Sequence, residues 1–337
     1  MNARRLFVEC MAAGVLCGGF VRTNARAGES EQRLRVIPAP RVVHRGGVRA
    51  TVSLRGMGRV LVRYKPAGLE KRPAVAGGVA LLKKRMEVLG GDEDDAGRVL
   101  RVQLEKLSAA RLAELMQSRG AEALTSGARL DQAYSLEIGD NGDIQLAASG
   151  DLGFFYGLMT LCQLAEKDDE DDLVLPVVSI ADWPDMALRL GKTSATFGDS
   201  SRLRLYTRWL PLFRINMIGL QYHGGRSRFP EATFKKRVAM VCREERERGS
   251  LETIVYFCPF RGGGKWRGAD RDSYRRPGAL DMTKAEDRKI YVEFLEWVMD
   301  QGAHGIEVDY NDWPGPDATI VDVFLPLMRA TQPAPRD

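Results

Sequence analysis

The strongest constraint on the fold is a regular alternation of strand-like and helix-like segments that begins near residue 186. Four short apolar segments are typical of strands: MALRLGKTS (186–194), MIGLQYHG (217–224), LETIVYFCPF (251–260) and HGIEVDYND (304–312). Each is followed by a segment with helical spacing, at 201–216, 232–249, 283–302 and 318–331. Such an order predicts a parallel sheet or a (β/α) barrel. Because a closed barrel has eight units, residues 181–337 are predicted to form a partial (β/α)8 TIM barrel of about four β/α units.

The preceding residues, 34–180, predict an N-terminal α+β domain, so the fold class is α/β with two domains. RVLVRY and RVLRVQL are strand candidates rich in Val and Leu. YSLEIGDNGDIQLAAS predicts a β-hairpin, because apolar residues alternate on both sides of a Gly-Asp-Asn-Gly turn. A helix follows, with Asp151 as its predicted N-cap. LPVVSIADWPD (175–185) is interpreted as a linker between the two domains.

The first 27 residues predict a cleavable signal peptide. Arg4 and Arg5 precede an apolar stretch, and Ala25-Arg26-Ala27 has the small-x-small spacing that signal peptidase accepts. The location predicted from this segment is secreted or periplasmic. A cytosolic protein with an apolar first helix is the alternative interpretation.

Charge and cysteine content argue against several classes of partner. The formal charge is +5, and the predicted signal peptide carries four arginines and one glutamate, a net +3, which leaves +2. So small an excess gives little support for a nucleic-acid partner. No later apolar run reaches the roughly 20 residues of a membrane span. The wide spacing of Cys162, Cys242 and Cys258 favours buried thiols over a zinc site or a disulfide framework, and neither metal nor cofactor is predicted.

The fourth predicted strand carries an unusual group of acidic residues. Side chains alternate along a strand, which places Ile306, Val308 and Tyr310 on one face and Glu307, Asp309 and Asn311 on the other. The polar face would point into the barrel, with Asp312 at the start of the following loop. Active sites of such barrels form at the carboxyl ends of the strands. Ordinary strand-end and helix-capping acids remain the alternative interpretation, and His223 at the end of the second strand is inward by the same parity.

Several segments together resemble the bacterial β-N-acetylhexosaminidases of glycoside hydrolase families 20 and 84. VIPAPRVV is similar to the opening of their N-terminal α/β domain, and YSLEIGDNGDIQLAASGDLGFFYGLMTLCQL to its end. LPVVSIADWPDMALRL resembles the segment that leads into their catalytic barrel. LDMTKAEDRKIYVEFLEWVMDQGAHGIEVDYND resembles the family 84 stretch that ends in an Asp-Asp pair. The likeness covers roughly residues 34–314.

The resemblance implies hydrolysis of terminal β-linked N-acetylglucosamine or another N-acetylhexosamine by a substrate-assisted retaining mechanism. The substrate's acetamido carbonyl replaces the enzyme nucleophile, and two carboxylates assist it. Asn311 falls on the first Asp of the family 84 pair, and Asp312 on the second, the general acid/base. Because an Asn carries no charge, Asp309, two residues earlier on the same face, is the candidate for the first role.

The resemblance also implies three substrate-binding residues: Arg189 matches a family 20 Arg that binds sugar hydroxyls, His223 falls near a sugar-binding Lys of family 84, and Trp313 would add a stacking surface. Leu190 stands where the family has Gly, and the family 20 HxGGDE signature is absent. Because of these departures and the presence of only four β/α units, the sequence does not decide whether this 337-residue chain hydrolyses its substrate. A non-catalytic carbohydrate-binding or interaction protein derived from such an enzyme is the alternative function. A partner or a second copy is expected to cover the open edge of the barrel.

Overall fold

The computed structural model describes residues 36–46, 50–54, 57–90, 98–121, 127–194, 200–222, 232–257 and 284–308. The helices are α1 Pro73–Gly90, α2 Ala109–Ser118, α3 Gly127–Leu130, α4 Asp151–Leu164, α5 Ser200–Trp209, α6 Ala232–Arg248 and α7 Ala285–Asp300. The strands are β1 Val42–Arg45, β2 Thr51–Ser53, β3 Met57–Lys65, β4 Arg98–Lys106, β5 Tyr134–Ile138, β6 Ile144–Ala148, β7 Glu166–Lys167, β8 Leu173–Pro176, β9 Val178–Asp182, β10 Leu190–Ser194, β11 Met217–Tyr222, β12 Glu252–Phe257 and β13 Gly305–Val308. Short 3-10 helices span Leu69–Lys71 and Leu210–Phe213.

The first domain is built on a six-stranded mixed sheet with the order β1-β9-β5-β6-β4-β3. Its apolar face packs against α1 and α4 and forms the main core of this half. Gly157 of α4 lets this helix lie close to the sheet, since a Cβ there would come within 2.3 Å of Leu146 Cδ1. A smaller three-stranded sheet has the order β2-β8-β7. The strands predicted from RVLVRY and RVLRVQL are confirmed as β3 and β4, which pair in parallel.

The predicted hairpin is confirmed, but two details near it were wrong. Strands β5 and β6 pair antiparallel, with Tyr134 opposite Ala148 and Ile138 opposite Ile144. The N-cap of α4 is Gly150, and Asp151 is the first helical residue. The segment interpreted as a linker contains β9, which lies between β1 and β5 inside the first sheet. Its apolar residues serve as a buried strand, and the sequence between β9 and β10 is correspondingly short.

The second half contains a four-stranded parallel sheet with the order β10-β11-β12-β13. This order follows the chain, as the alternation of strands and helices predicted. One face is buried under the helices, and its core includes Ile218, Leu220 and Val255 from the strands together with Phe234 and Phe294 from the helices. The described sheet has four strands, so the partial barrel stays a prediction. The predicted fourth helix lies outside the described residues.

The predicted ends of the second and third helices, at 249 and 302, agree with the structure. The end of the first, predicted at 216, was wrong: α5 ends at Trp209 and a 3-10 helix with Pro211 in its first turn follows. Gly302 follows α7 with φ +85°, and Gly249 follows α6 with φ +63°, a left-handed conformation that favours glycine. Thr283, the first residue of the predicted segment 283–302, lies outside the described residues, and the N-cap position of α7 is Lys284, without a side-chain capping bond.

The cysteines that the structure describes are free thiols. Burial raises the pKa of Cys162 to about 12 and that of Cys242 to about 11, so both are protonated at neutral pH. The buried thiol predicted at Cys242 is confirmed, Cys162 is partly buried against the main core, and Cys258 lies outside the described residues. Within the described part of the chain, no helix combines the length and apolar character needed to cross a bilayer.

Candidate active site

The candidate site is the carboxyl end of the second sheet, on the face that the helices leave uncovered. Register pairs Gln221 with Tyr256 and Tyr256 with Glu307, so these three side chains share that face. Ile306, next to Glu307, packs instead against the helix-covered core. The predicted alternation of β13 is therefore confirmed for its described residues.

A lysine crosses this face and joins the two outer strands of the described sheet. Lys192 Nζ of β10 lies 2.7 Å from Glu307 Oε1 of β13. On the way it lies 4.6 Å from the centre of the Tyr256 ring, which is a cation–π geometry. Both charged side chains are nearly two-fifths exposed, so the pair remains open to solvent.

The crossing is possible because β11 carries a glycine beneath it. A Cβ at Gly219 would come within 3.1 Å of Lys192 Cγ, closer than a comfortable van der Waals contact. Strands β10 and β13 are separated by three strand spacings of about 4.8 Å each. A direct contact between side chains of these strands indicates that the sheet curves toward its open face, as a barrel wall does.

Most of the residues predicted for the site lie beyond the described part of the sheet. Asp309, Asn311, Asp312 and Trp313 follow β13, and His223 follows β11, all outside the described residues. Their catalytic and substrate-binding roles stay predictions. Glu307 is two residues before Asp309, so a strand that continued would place Asp309 on the same face.

Arg189 is described, and it lies at the opposite end of the sheet from these residues. It immediately precedes β10, where its Nη2 donates to Gln132 Oε1 at 2.7 Å and to Tyr156 Oη at 3.2 Å. Its Nε donates to the carbonyl of Arg214 at 2.5 Å. These contacts connect the first domain to the second sheet and support a structural role for Arg189. Its predicted sugar-binding role gains no support from this position.

The sequence reasoning missed Lys192 and Tyr256. Both belong to segments correctly predicted as strands, and the parity used for β13 could have placed each on the polar face. No local pattern in the sequence predicts the pairing of Lys192 with Glu307, which lies 115 positions later. Among the described residues, no group of three or more His, Cys, Asp and Glu is arranged to hold a metal ion.

We expect Lys192→Met to change the free energy of unfolding by less than about 1 kcal/mol, because exposed ion pairs contribute little to stability. The pair's side chains are 39% and 38% exposed. Urea unfolding at low and high salt would check this, with Glu307→Gln as the matched variant. A loss well above this range would show that the pair is structural and not available to a ligand.

Comparison with family models identifies the first domain. Residues 33–183 match the model described as glycosyl hydrolase family 20, domain 2. The first domain is therefore similar to this family 20 domain, and the match covers less than half of the chain. The match ends one residue after β9, which agrees with the position of β9 inside the first sheet. No curated protein matches the chain significantly.

Solved structures extend the likeness to both halves of the chain. The chitobiase of Flavobacterium johnsoniae is 16% identical with a TM-score of 0.61, over 90% of this chain and 52% of that one. The N-acetyl-β-hexosaminidase of Streptomyces plicatus, in complex with Thio-NAglucal, is 16% identical with a TM-score of 0.61, over 89% and 64%. The protein CpGH84B is 18% identical with a TM-score of 0.50, over 82% and 43%.

These comparisons confirm the resemblance to hexosaminidase-like glycoside hydrolases of families 20 and 84. At such identities the solved structures show a shared fold. The chain spans about half the length of the solved proteins it matches, between 43% and 64% of each. The likeness to these larger proteins therefore covers both the first domain and the parallel sheet.

Proposed function

We propose that this chain is a glycoside hydrolase that releases terminal β-linked N-acetylglucosamine or a related N-acetylhexosamine. The observation that carries the proposal is the polar open face of the second sheet, where Lys192 contacts both Tyr256 and Glu307; the acidic residues follow β13 in the sequence. The likeness to a chitobiase and an N-acetyl-β-hexosaminidase supports the choice of sugar. The sheet would be the first half of a TIM barrel, with the site at its carboxyl end.

Each acidic residue has a distinct role in this proposal. Asp312 protonates the leaving oxygen and then removes a proton from the attacking water. Asp309, with Asn311 beside it, orients the substrate's acetamido group and stabilises the positive charge that develops when its carbonyl attacks the anomeric carbon. Glu307 holds Lys192 over the same face, which places a cation and an aromatic ring beside the bound sugar. His223 and Trp313 would complete the sugar-binding surface.

The test is hydrolysis of aryl N-acetyl-β-glucosaminides by the full chain and by Asp312→Asn. A phenyl leaving group needs protonation as it departs, whereas dinitrophenolate is stable enough to leave without it. We therefore expect Asp312→Asn to lose turnover of the phenyl glycoside and to retain much more of its turnover of the dinitrophenyl glycoside. The wild-type product should appear first as the β-anomer in the proton NMR spectrum. Equal loss on both substrates would contradict the acid role of Asp312.

A second function is favoured by one observation, the Asn at position 311 where the family pair has an Asp. A chain with this change would bind N-acetylhexosamine glycans without cleaving them. Binding of N-acetylglucosamine with no turnover above the Asp312→Asn background would support this function and contradict the hydrolase. We also propose that residues 1–27 direct secretion and are removed, which N-terminal sequencing of the mature protein tests. A partner or second copy would cover the sheet edge, which the mass of the particle in solution tests.

A further inference from the structure

The first domain contains a groove on the face of its sheet that points away from the main core. The groove has a volume of about 460 Å³ and lies between α2 and strands β4, β5 and β6. Its floor includes Gln103, Ser135 and Gln145, which alternate with the core residues of the same strands. Its wall is formed by Leu115 of α2 and by Arg119, which directly follows the helix.

The groove exists because α2 covers only part of this face. Leu112 and Met116 of α2 pack against Ala133, Ala181 and Trp183 at the β5 and β9 side of the sheet. Among the described residues, no helix lies above the neighbouring strands β6 and β4 on this face, and their polar side chains line the groove. A volume of this size is in the range of small-molecule sites in proteins.

The unpaired hydroxyl of Ser135 indicates that a ligand binds in this groove. The residue is 2% exposed and lines the groove, and its Oγ has no hydrogen-bond partner among the described residues. Nearly all buried polar groups in native structures are hydrogen-bonded, and an unpaired one is costly. A hydroxyl at the floor of a groove can instead bond to a bound molecule.

The charged groups around the groove already have partners within the protein. Glu105 lies 2.7 Å from Lys65, and Arg119 lies 2.6 Å from Glu137 and 2.8 Å from Ser179 Oγ. Arg111 likewise pairs with a glutamate of its own helix at 2.8 Å. The remaining hydrogen-bonding capacity therefore belongs to neutral groups, the amides of Gln103 and Gln145 and the hydroxyl of Ser135.

We propose that this groove binds a neutral sugar residue. Amide and hydroxyl groups can both donate and accept hydrogen bonds, which matches the hydroxyl groups of a sugar. Because the charged side chains around the groove are already paired, the ligand needs no net charge. Aliphatic side chains such as Leu115 would lie against the C–H surface of the ring. The site is separate from the open face of the second sheet, and only the choice of an N-acetylated sugar as probe rests on the proposed function.

The test is hydrogen exchange with and without N,N′-diacetylchitobiose, using the full chain with Asp312→Asn so that the probe is not cleaved. We expect slower exchange in peptides that cover residues 98–106, 109–119 and 134–148. Gln103→Ala/Gln145→Ala should remove this protection and weaken calorimetric binding at the groove by about tenfold or more. Gln117→Ala, an exposed change on α2 outside the groove, is the matched control and should leave both unchanged.

Ser135→Ala separates binding from folding. Because it removes an unpaired buried hydroxyl, it should not lower the melting temperature of the ligand-free protein, but it should reduce the rise in melting temperature that the probe produces. The proposal is overturned if the groove peptides gain no protection, or if Gln117→Ala weakens binding as much as the groove variants do. Protection confined to peptides covering 190–194 and 305–308 would support the proposed function and overturn this groove as a sugar site.

Discussion

Replacing Arg214 with methionine is expected to lower the free energy of unfolding by about 3–5 kcal/mol, the usual effect of removing one partner of a buried ion pair. Arg214 follows the 3-10 helix before β11, and its Nη1 pairs with Asp182 Oδ2 at the end of β9. The two side chains are only 11% and 3% exposed. The variant would leave the carboxylate of Asp182 buried without its counter-ion.

Two further polar groups would lose a donor in the same variant. Arg214 Nη2 lies 3.0 Å from Tyr134 Oη and 3.0 Å from Thr160 Oγ1, which are 2.6 Å from each other. Tyr134 and Thr160 belong to the first domain and are fully buried. Because all these groups share one network, the loss should exceed that of any single hydrogen bond.

The effect of Arg214→Met should depend on pH in a defined direction. Burial raises the pKa of Asp182, and the nearby Arg214 opposes this rise. Without Arg214 the folded-state pKa rises further, so the carboxylate destabilises the fold increasingly as the pH rises above its unfolded value. The deficit relative to wild type should therefore be larger at pH 8 than at pH 5.

Urea unfolding of the full chain at both pH values would measure this deficit. Arg204→Met is a matched control, since Arg204 pairs with Glu244 at 2.6 Å but is 44% exposed, and it should cost about 1 kcal/mol or less. Asp182→Asn combined with Arg214→Met completes a double-mutant cycle and should recover part of the loss. An Arg214→Met deficit no larger than that of Arg204→Met would show that the network does not hold the two halves together.

We expect the difference in the free energy of unfolding between Glu245→Gln and wild type to change by about 3 kcal/mol in favour of the variant between pH 4.5 and pH 8. Glu245 of α6 is 2% exposed. Burial raises its pKa from 4.5 to about 7, although Arg248 Nη1 donates to its Oε1 at 2.7 Å. Its Oε2 has no hydrogen-bond partner among the described residues.

The direction of this pH dependence follows from which state, folded or unfolded, binds the proton of Glu245. Between pH 4.5 and 7 the folded state binds a proton that the unfolded state has released, so wild-type stability falls as the pH rises through this window. Gln does not titrate, and Arg248 keeps its second partner Glu244 at 2.8 Å. The variant should therefore lack this part of the pH dependence.

Denaturant unfolding of wild type and Glu245→Gln at four pH values from 4.5 to 8 would give the difference curve. Glu244→Gln is the natural comparison, because the arginines beside it lower the pKa of Glu244 despite its partial burial. That variant should lose stability at pH 8. A difference curve for Glu245→Gln that is flat across the window would contradict the raised pKa.

The features that follow from local pattern were predictable from the sequence. The β5–β6 hairpin and the opposite faces of Ile306 and Glu307 depend on alternation over a few residues, and the parallel order of β10 to β13 follows from the succession of strand and helix segments. Such periodicity is imposed by the pleat and by burial of one face. The structure agrees with all three.

The features that depend on distant residues were not predictable in the same way. The segment that contains β9 was interpreted as a linker. Its pairing with β1 and β5 joins residues far apart in the chain, and no local pattern in the sequence indicates it. The Lys192–Glu307 contact and the Asp182–Arg214 pair each depend on how separate elements pack. The groove in the first domain likewise arises from how much of a sheet one short helix covers.

The position of Asp182 has a consequence for how such proteins can be recombined. It is the last residue of β9, so it belongs to the first domain, whereas its counter-ion Arg214 comes with the half that follows. A first domain of this kind transferred onto a different second half would bring along a buried negative charge. The new half would have to supply a cation at the equivalent point, so charge matching at a single buried position limits which halves can be exchanged.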